Sequence, residues 1–188
     1  VPKLVEPALP AGVVRDLKQP RLDGMRPWEE PDAAAAQEAF SDAEIQRWHV
    51  LRLDDEDEAR DWIAQWARRW ADEEAASWAI VDESDQVLGQ IGLRGIDLVE
   101  AAAGLSYWVL PAARGRGVAV RAVDVLTRWC FDELGLVRLR LGHSTRNQQS
   151  CRVATKAGFP LEGTQLASMR HADGWHDAHL HARTQLAS

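Results

Sequence analysis

Cysteine is scarce in this chain: its 188 residues contain two, Cys130 and Cys151. Two cysteines build no disulfide framework, and their separation matches no familiar metal-ligand spacing, so both are expected to stay reduced. Long apolar runs are also missing, which argues against a membrane span. The first residues, Val1-Pro2-Lys3-Leu4-Val5-Glu6-Pro7, lack the apolar stretch of a secretory signal, and a soluble, cytoplasmic protein is the expectation. Basic charge is in deficit, 22 Lys and Arg against 29 Asp and Glu, whereas a nucleic-acid-binding domain is normally basic. No internal repeat or low-complexity linker interrupts the chain. Its length suits one domain with a real core and does not require two. The proline-punctuated residues 1–20 read as an irregular lead-in, leaving 21–188 as that domain.

Several chemistries lack their residues. A P-loop needs Gly-Lys-Ser/Thr at a helix start, where this chain has Gly117-Val118-Ala119. A dinucleotide fingerprint needs a third small residue where Val120 stands, and an acidic residue after the next strand. Ser150 and Cys151 have neither a nucleophile elbow nor a recognisable base partner. His176, His179 and His181, with Asp177, suggest a metal site, but the alternation of Asp177, His179 and His181 is that of a half-polar strand face, so no metal is expected.

What is present is a strand, a glycine turn and a helix. Leu105-Ser106-Tyr107-Trp108-Val109-Leu110 favours a strand, and Pro111 stops it. The turn Pro111 to Gly117 then opens a helix over 118–134, with Val118, Ala122, Val123, Leu126 and Cys130 on one face. Glycines leading into a helix start leave backbone N–H groups free at the positive end of the helix dipole, which is an anion site suited to phosphate. Arg114 and Arg116 add positive charge. Around this centre the pattern predicts a short strand at 21–28, helices at 31–40 and 55–75, and a hairpin of Ser77–Val81 with Val87–Leu93. It also predicts strands at 137–141, 159–166 and 175–182, and a short helix ending at Gly158. Trp62, Trp66 and Trp70 form a ridge at helical spacing, read as core packing, with a pocket wall (Trp28 and Trp48 included) as the alternative. Charge is uneven, about −12 over residues 1–100 and +5 over 101–188. A basic half suits an anionic ligand, and an acidic half a cationic one.

Arg114-Gly115-Arg116-Gly117-Val118-Ala119 resembles the Arg/Gln-x-x-Gly-x-Gly/Ala signature of the GNAT superfamily of N-acetyltransferases. Tyr107 to Pro111 before it resembles the same family, as do Asn147-x-x-Ser150, Lys156-Ala157-Gly158-Phe159, Leu161-Glu162-Gly163 and Asp173-Gly174-Trp175-His176-Asp177 after it. That ordered set is similar to the RimJ/RimL-like branch, the ribosomal-protein N-terminal acetyltransferase-like proteins, and spans about residues 21–184.

The resemblance implies an α+β fold: a central, mostly antiparallel mixed sheet, splayed at the fourth strand and flanked by helices. It implies acetyl-coenzyme A as acyl donor and direct attack on its thioester by a primary amine, either a protein N-terminus or a small molecule. The cofactor would lie on Trp108, Val109, Leu110, Arg114, Gly115, Arg116, Gly117, Val118, Ala119, Asn147 and Ser150, with Ser150 as the general acid facing the departing sulfur. Some relatives carry a glutamate base where Met169 stands here. The base is therefore unassigned, with Glu162, His171 and Asp177 nearby in sequence and a water chain as another route. Succinyl or another acyl group, or coenzyme A sensing without catalysis, are the alternatives, and a homodimer is the expected assembly.

Overall fold

Alternating apolar residues and well-placed turns build one seven-stranded sheet, seen in a computed structural model that describes residues 5–185. The parts of the lead-in at 1–4 and of the domain at 186–188 lie outside the described residues. In chain order the elements are β1 (Met25–Pro27), α1 (Ala33–Ser41), α2 (Ala43–Trp48), α3 (Glu56–Ala71), β2 (Ala75–Val81), β3 (Val87–Asp97), β4 (Ala102–Val109), α4 (Val118–Asp132), β5 (Arg138–Ser144), α5 (Gln148–Lys156), β6 (Leu161–His171) and β7 (Gly174–Thr184). Strand order is β1-β2-β3-β4-β5-β7-β6. Among the described strands only β4 and β5 pair in parallel, and α4 carries the chain across between them. Among the described residues no helix is long and apolar enough to cross a membrane.

The β4–β5 pairing is short. It covers Ala102 to Leu105 against Arg138 to Leu141 and then stops, so the rest of β4 and the end of β5 separate. This is the splay that the resemblance implies. Above it sits α4, whose Val118, Ala122, Val123, Leu126 and Cys130 are buried against the sheet. Leu126 and Val123 are fully enclosed, and burying a side chain of this size contributes roughly 1.5–3 kcal/mol.

Several boundaries differ from the sequence reading: β3, β5 and β6 run on to Asp97, Ser144 and His171, and two other elements are shorter for a visible reason. The helix expected over 55–75 ends at Ala71, because Glu73 adopts a left-handed φ of 57° and turns the chain into β2. The strand expected at 21–28 shrinks to Met25–Pro27, since Leu22 folds back to bridge Met25 across a turn.

Residues 5–20 form no helix or strand, yet they are packed into the core. Val14 is fully buried. The Glu73 carboxylate accepts N–H bonds from Gly12 at 2.7 Å and Val14 at 2.8 Å. The indoles of Trp70 and Trp78 donate to the carbonyls of Leu17 and Pro20. Trp62, Trp66 and Trp70 are all buried, so the ridge is core. Trp28, Phe40, Trp62 and Trp108 stack edge to face or tilted, with centroids 5.1–6.0 Å apart.

Candidate active site

The splay is the mouth of a cavity of about 540 Å³, lined by β4, the glycine turn, the ends of β5 and β6, and faces of α2 and α5. Its shape follows from main-chain direction. In the β3–β4 ladder Val109 lies opposite Gly89 and Trp108 opposite Gln90, and the Leu110 N–H donates to the Leu88 carbonyl at 2.9 Å. Hydrogen-bonding direction alternates along a strand, so Trp108 and Leu110 are engaged with β3, while Tyr107 and Val109 turn their N–H groups into the gap. Three exposed main-chain positions were expected, Trp108, Val109 and Leu110. Of these Trp108 and Val109 line the cavity, Val109 with its N–H turned into the gap, and Tyr107 joins them. Leu110 lies in the aromatic core and does not line the cavity.

Beyond β4 the chain enters the glycine turn. Gly115 and Gly117 have φ of 75° and 76°, and a Cβ at either would meet nothing within 4 Å. Glycine is needed there for backbone conformation rather than for space. Among the described residues the N–H groups of 115–120 make no hydrogen bond within the chain. Helix α4 thus presents its free N-terminal donors to the cavity, which Gly115, Gly117, Val118, Ala119 and Val120 line.

Of the turn's two arginines Arg114 lines the cavity, and its charge is met by a carboxylate. Arg114 pairs with Asp42, the N-cap of α2, and donates from Nε to the Val109 carbonyl at 3.2 Å; its own N–H is bonded to Pro111. It fastens α2 to the turn. Arg116 is exposed and outside the lining. Two further cations line the cavity, Arg152 and Lys156, four residues apart on α5. Their i,i+4 spacing on a short helix was the signal in the sequence that could have found them.

Asn147 caps α5, accepting the Ser150 N–H on Oδ1 at 2.9 Å. Ser150 Oγ lies 2.9 Å from the hydroxyl of Tyr107 across the gap. Burial pushes the Tyr107 phenol up to about 12, so it stays protonated. Sequence reasoning missed this pair because its members are 43 residues apart.

Of the three candidate bases, one lines the cavity. Glu162 is exposed and paired with Arg138, and Asp177 is exposed and accepts the Ala167 N–H. His171 faces the cavity on β6, beside Met169, and both its ring nitrogens are buried without a hydrogen-bond partner. Burial and the neighbouring His176 hold it below the ordinary histidine range, so it is neutral at neutral pH. His49 and Glu44 from α2 and its C-terminus also line the wall; burial, with help from Arg94 and His171, pushes His49 down to about 4. Of the tryptophans considered as a pocket wall, Trp48 lines the cavity, while Trp28, Trp62, Trp66 and Trp70 do not.

The model of the acetyltransferase (GNAT) domain family matches residues 24–160. The chain is 29% identical over 101 residues to YdaF of Bacillus subtilis (strain 168), covering 54% of this chain and 55% of that protein. It is 27% identical over 108 residues to the ribosomal-protein-serine acetyltransferase of Escherichia coli (strain K12), covering 57% and 60% respectively. The chain therefore spans somewhat over half the length of these two curated relatives. The fold superposes on Mycobacterium smegmatis RimJ in complex with CoA-disulfide with a TM-score of 0.78 at 21% identity, covering 87% of this chain and 84% of RimJ. A family model matched over most of the chain, on the same splayed sheet and free helix N-terminus, leads to one assignment: the chain belongs to the GNAT acetyltransferase family, with relatives among the RimJ/RimL-like ribosomal-protein acetyltransferases.

Proposed function

We propose that this protein transfers an acetyl group from acetyl-coenzyme A to the free amine of a protein N-terminus. The observation that carries the reading is the gap between β4 and β5, which runs past two unpaired strand N–H groups and ends at the unpaired N-terminus of α4. An arm with amide groups ending in a pyrophosphate matches those donors in order. The N–H groups of residues 115–120 would hold the pyrophosphate, with Arg152 and Lys156 adding charge. Val109 and Tyr107 would pair with the pantetheine amides, and Asn147 would hold the start of α5 beside them. Bound there, the thioester supplies the acetyl carbon and a sulfur leaving group.

The acceptor arrives as an ammonium and must lose a proton before its lone pair can attack. Glu44, on the wall, favours entry of a cation, and His171, neutral with unpartnered nitrogens, takes the proton directly or through water. The Ser150 hydroxyl donates toward the sulfur, and the Tyr107 hydroxyl donates to Ser150. A protein N-terminus is favoured over a small amine by the names of the ribosomal-protein relatives.

The test is thiol release from acetyl-coenzyme A with peptides bearing free N-termini, beside polyamines and amino sugars, together with calorimetric titration of coenzyme A. Turnover with peptides supports the proposal. Turnover with small amines alone moves the acceptor class, and turnover with succinyl-coenzyme A alone moves the acyl group. Binding without turnover points to a sensor, and no binding at all refutes the reading.

A further inference from the structure

Beside the cavity, on the face of β5 and β7 that α5 covers, His143, His179 and His181 lie together. His143 is the register partner of His179, and His181 stands two residues along the same face. Cys151, from the first turn of α5, completes the group. One ligand atom from each of the four lies within 4.8 Å of every other. Of the residues expected on a half-polar strand face, Asp177 is exposed and His179 half-buried, but His181 is 2% exposed, and His143 across from His179 is 5% exposed.

The hydrogen bonds fix the tautomers. His143 Nδ1 is 2.9 Å from the Ser144 carbonyl, and His181 Nδ1 is 2.9 Å from the Phe159 carbonyl. A carbonyl only accepts, so both rings carry their proton on Nδ1. Their Nε2 atoms, 3.3 Å apart, then meet with two lone pairs and no proton between them. His179 adds a buried Nδ1 that has no hydrogen-bond partner. Two facing lone pairs, an orphaned imidazole nitrogen and a thiol in one cluster of two buried and two half-buried residues are a donor set in search of a cation.

The geometry points to a tetrahedral transition-metal site of three histidines and one cysteine, suited to zinc. Ligands at about 2.0–2.1 Å from a tetrahedral zinc place their nitrogens roughly 3.3–3.4 Å apart, the spacing that the His143 and His181 Nε2 atoms already have. The wider-set ligand atoms must close by about 1 Å, which rotation of the half-buried His179 and Cys151 can supply. Two of the three histidines are also backed in the way metal ligands are: Nδ1–H of His143 and of His181 is held by a carbonyl while Nε2 faces the centre. Binding converts the Cys151 thiol to a thiolate and releases that one proton to solvent. The site is closed by four protein ligands, so it serves structure, tying the start of α5, and with it Ser150, to β5 and β7. Local spacing could not have shown this, since the four ligands come from two strands and a helix.

Chelator-treated full-length protein titrated with cobalt(II) tests the site. One equivalent should develop the visible bands of tetrahedral cobalt and a thiolate-to-cobalt charge-transfer band, and zinc should abolish both by displacement. Cys151→Ala should remove the charge-transfer band and weaken binding by at least ~100-fold, since loss of outer-shell partners alone typically costs about 10- to 100-fold. His179→Ala, at a half-buried position, should do the same to the visible bands without unfolding the chain, as checked by circular dichroism. A weak octahedral spectrum, no uptake of cobalt or zinc, or uptake unchanged in both folded variants overturns the assignment; the two Nε2 atoms would then share a proton.

Discussion

Tyr107→Phe removes one hydroxyl from a pair that spans the cavity. Tyr107 and Ser150 oxygens are 2.9 Å apart, and the phenol, pushed up to about 12 by burial, keeps its proton through any ordinary assay. It can therefore donate to Ser150 and leave the serine proton free for the sulfur. A neutral hydrogen bond is worth about 1 kcal/mol net and one to a charged acceptor about 1.5–3 kcal/mol. With about 1.4 kcal/mol to each factor of ten, Tyr107→Phe should lower kcat roughly fivefold and Ser150→Ala roughly 10- to 150-fold. The KM for acetyl-coenzyme A should change little in either, because the charge on sulfur develops after binding. Steady-state thiol release on both single variants and the double variant measures the coupling. If Tyr107 acts through Ser150, the double variant matches Ser150→Ala. Losses that multiply would refute the relay, and a greater loss in Tyr107→Phe than in Ser150→Ala would make the phenol the acid.

His49, pushed down to about 4, remains neutral while an ordinary unfolded histidine takes up a proton near 6.5. Between those values the unfolded chain binds a proton that the folded chain does not, so stability falls as pH drops, by up to ~3 kcal/mol at the lower end. His49→Phe should flatten that part of the denaturation-midpoint profile, and an unchanged slope counts against the assignment. Arg26 and Asp32 form a buried two-pronged pair at 2.6 and 3.0 Å, and Arg26 Nε also donates to the exposed Asp85 at 2.9 Å; Asp32→Ala should cost about 3–5 kcal/mol by leaving the buried guanidinium with that exposed carboxylate as its remaining charged partner. A chemical-denaturation midpoint close to that of the parent would show that Asp85 alone suffices for Arg26. Gly117→Ala has room for its methyl group but not the conformation, and should lose ~1–2 kcal/mol of stability and weaken coenzyme A binding in calorimetry. Unchanged affinity would mean that the turn's N–H groups do not hold the ligand.

The strand, turn and helix at 102–132 were legible because local signals agree there: β-favouring residues, a proline stop, two glycines and then a 3.6-residue period. The flanking hairpin at 75–97 was legible for the same reason. What escaped the sequence depends on distance along the chain. Arg114 beside two glycines reads as a free cation, and only the fold shows Asp42, 72 residues earlier, on its guanidinium. The alternation His179-x-His181 correctly indicates a shared face, but only the fold shows that α5 covers that face and that His143 stands across from it. The lead-in has no periodicity because it is held by single contacts, from Glu73, Trp70 and Trp78, rather than by a repeating face.

A sheet that parts in its middle has two extra borders, and here they lie inside the molecule. Borders with free donors attract any extended chain that fits, including a segment of another molecule. An acyl carrier lodged in the gap would act as a temporary strand and close both. Its abundance would then govern how long the protein lasts as well as how fast it works: at a hundred times the dissociation constant, occupancy adds about 2.7 kcal/mol to stability. Cells short of the carrier would hold this protein in its most vulnerable form.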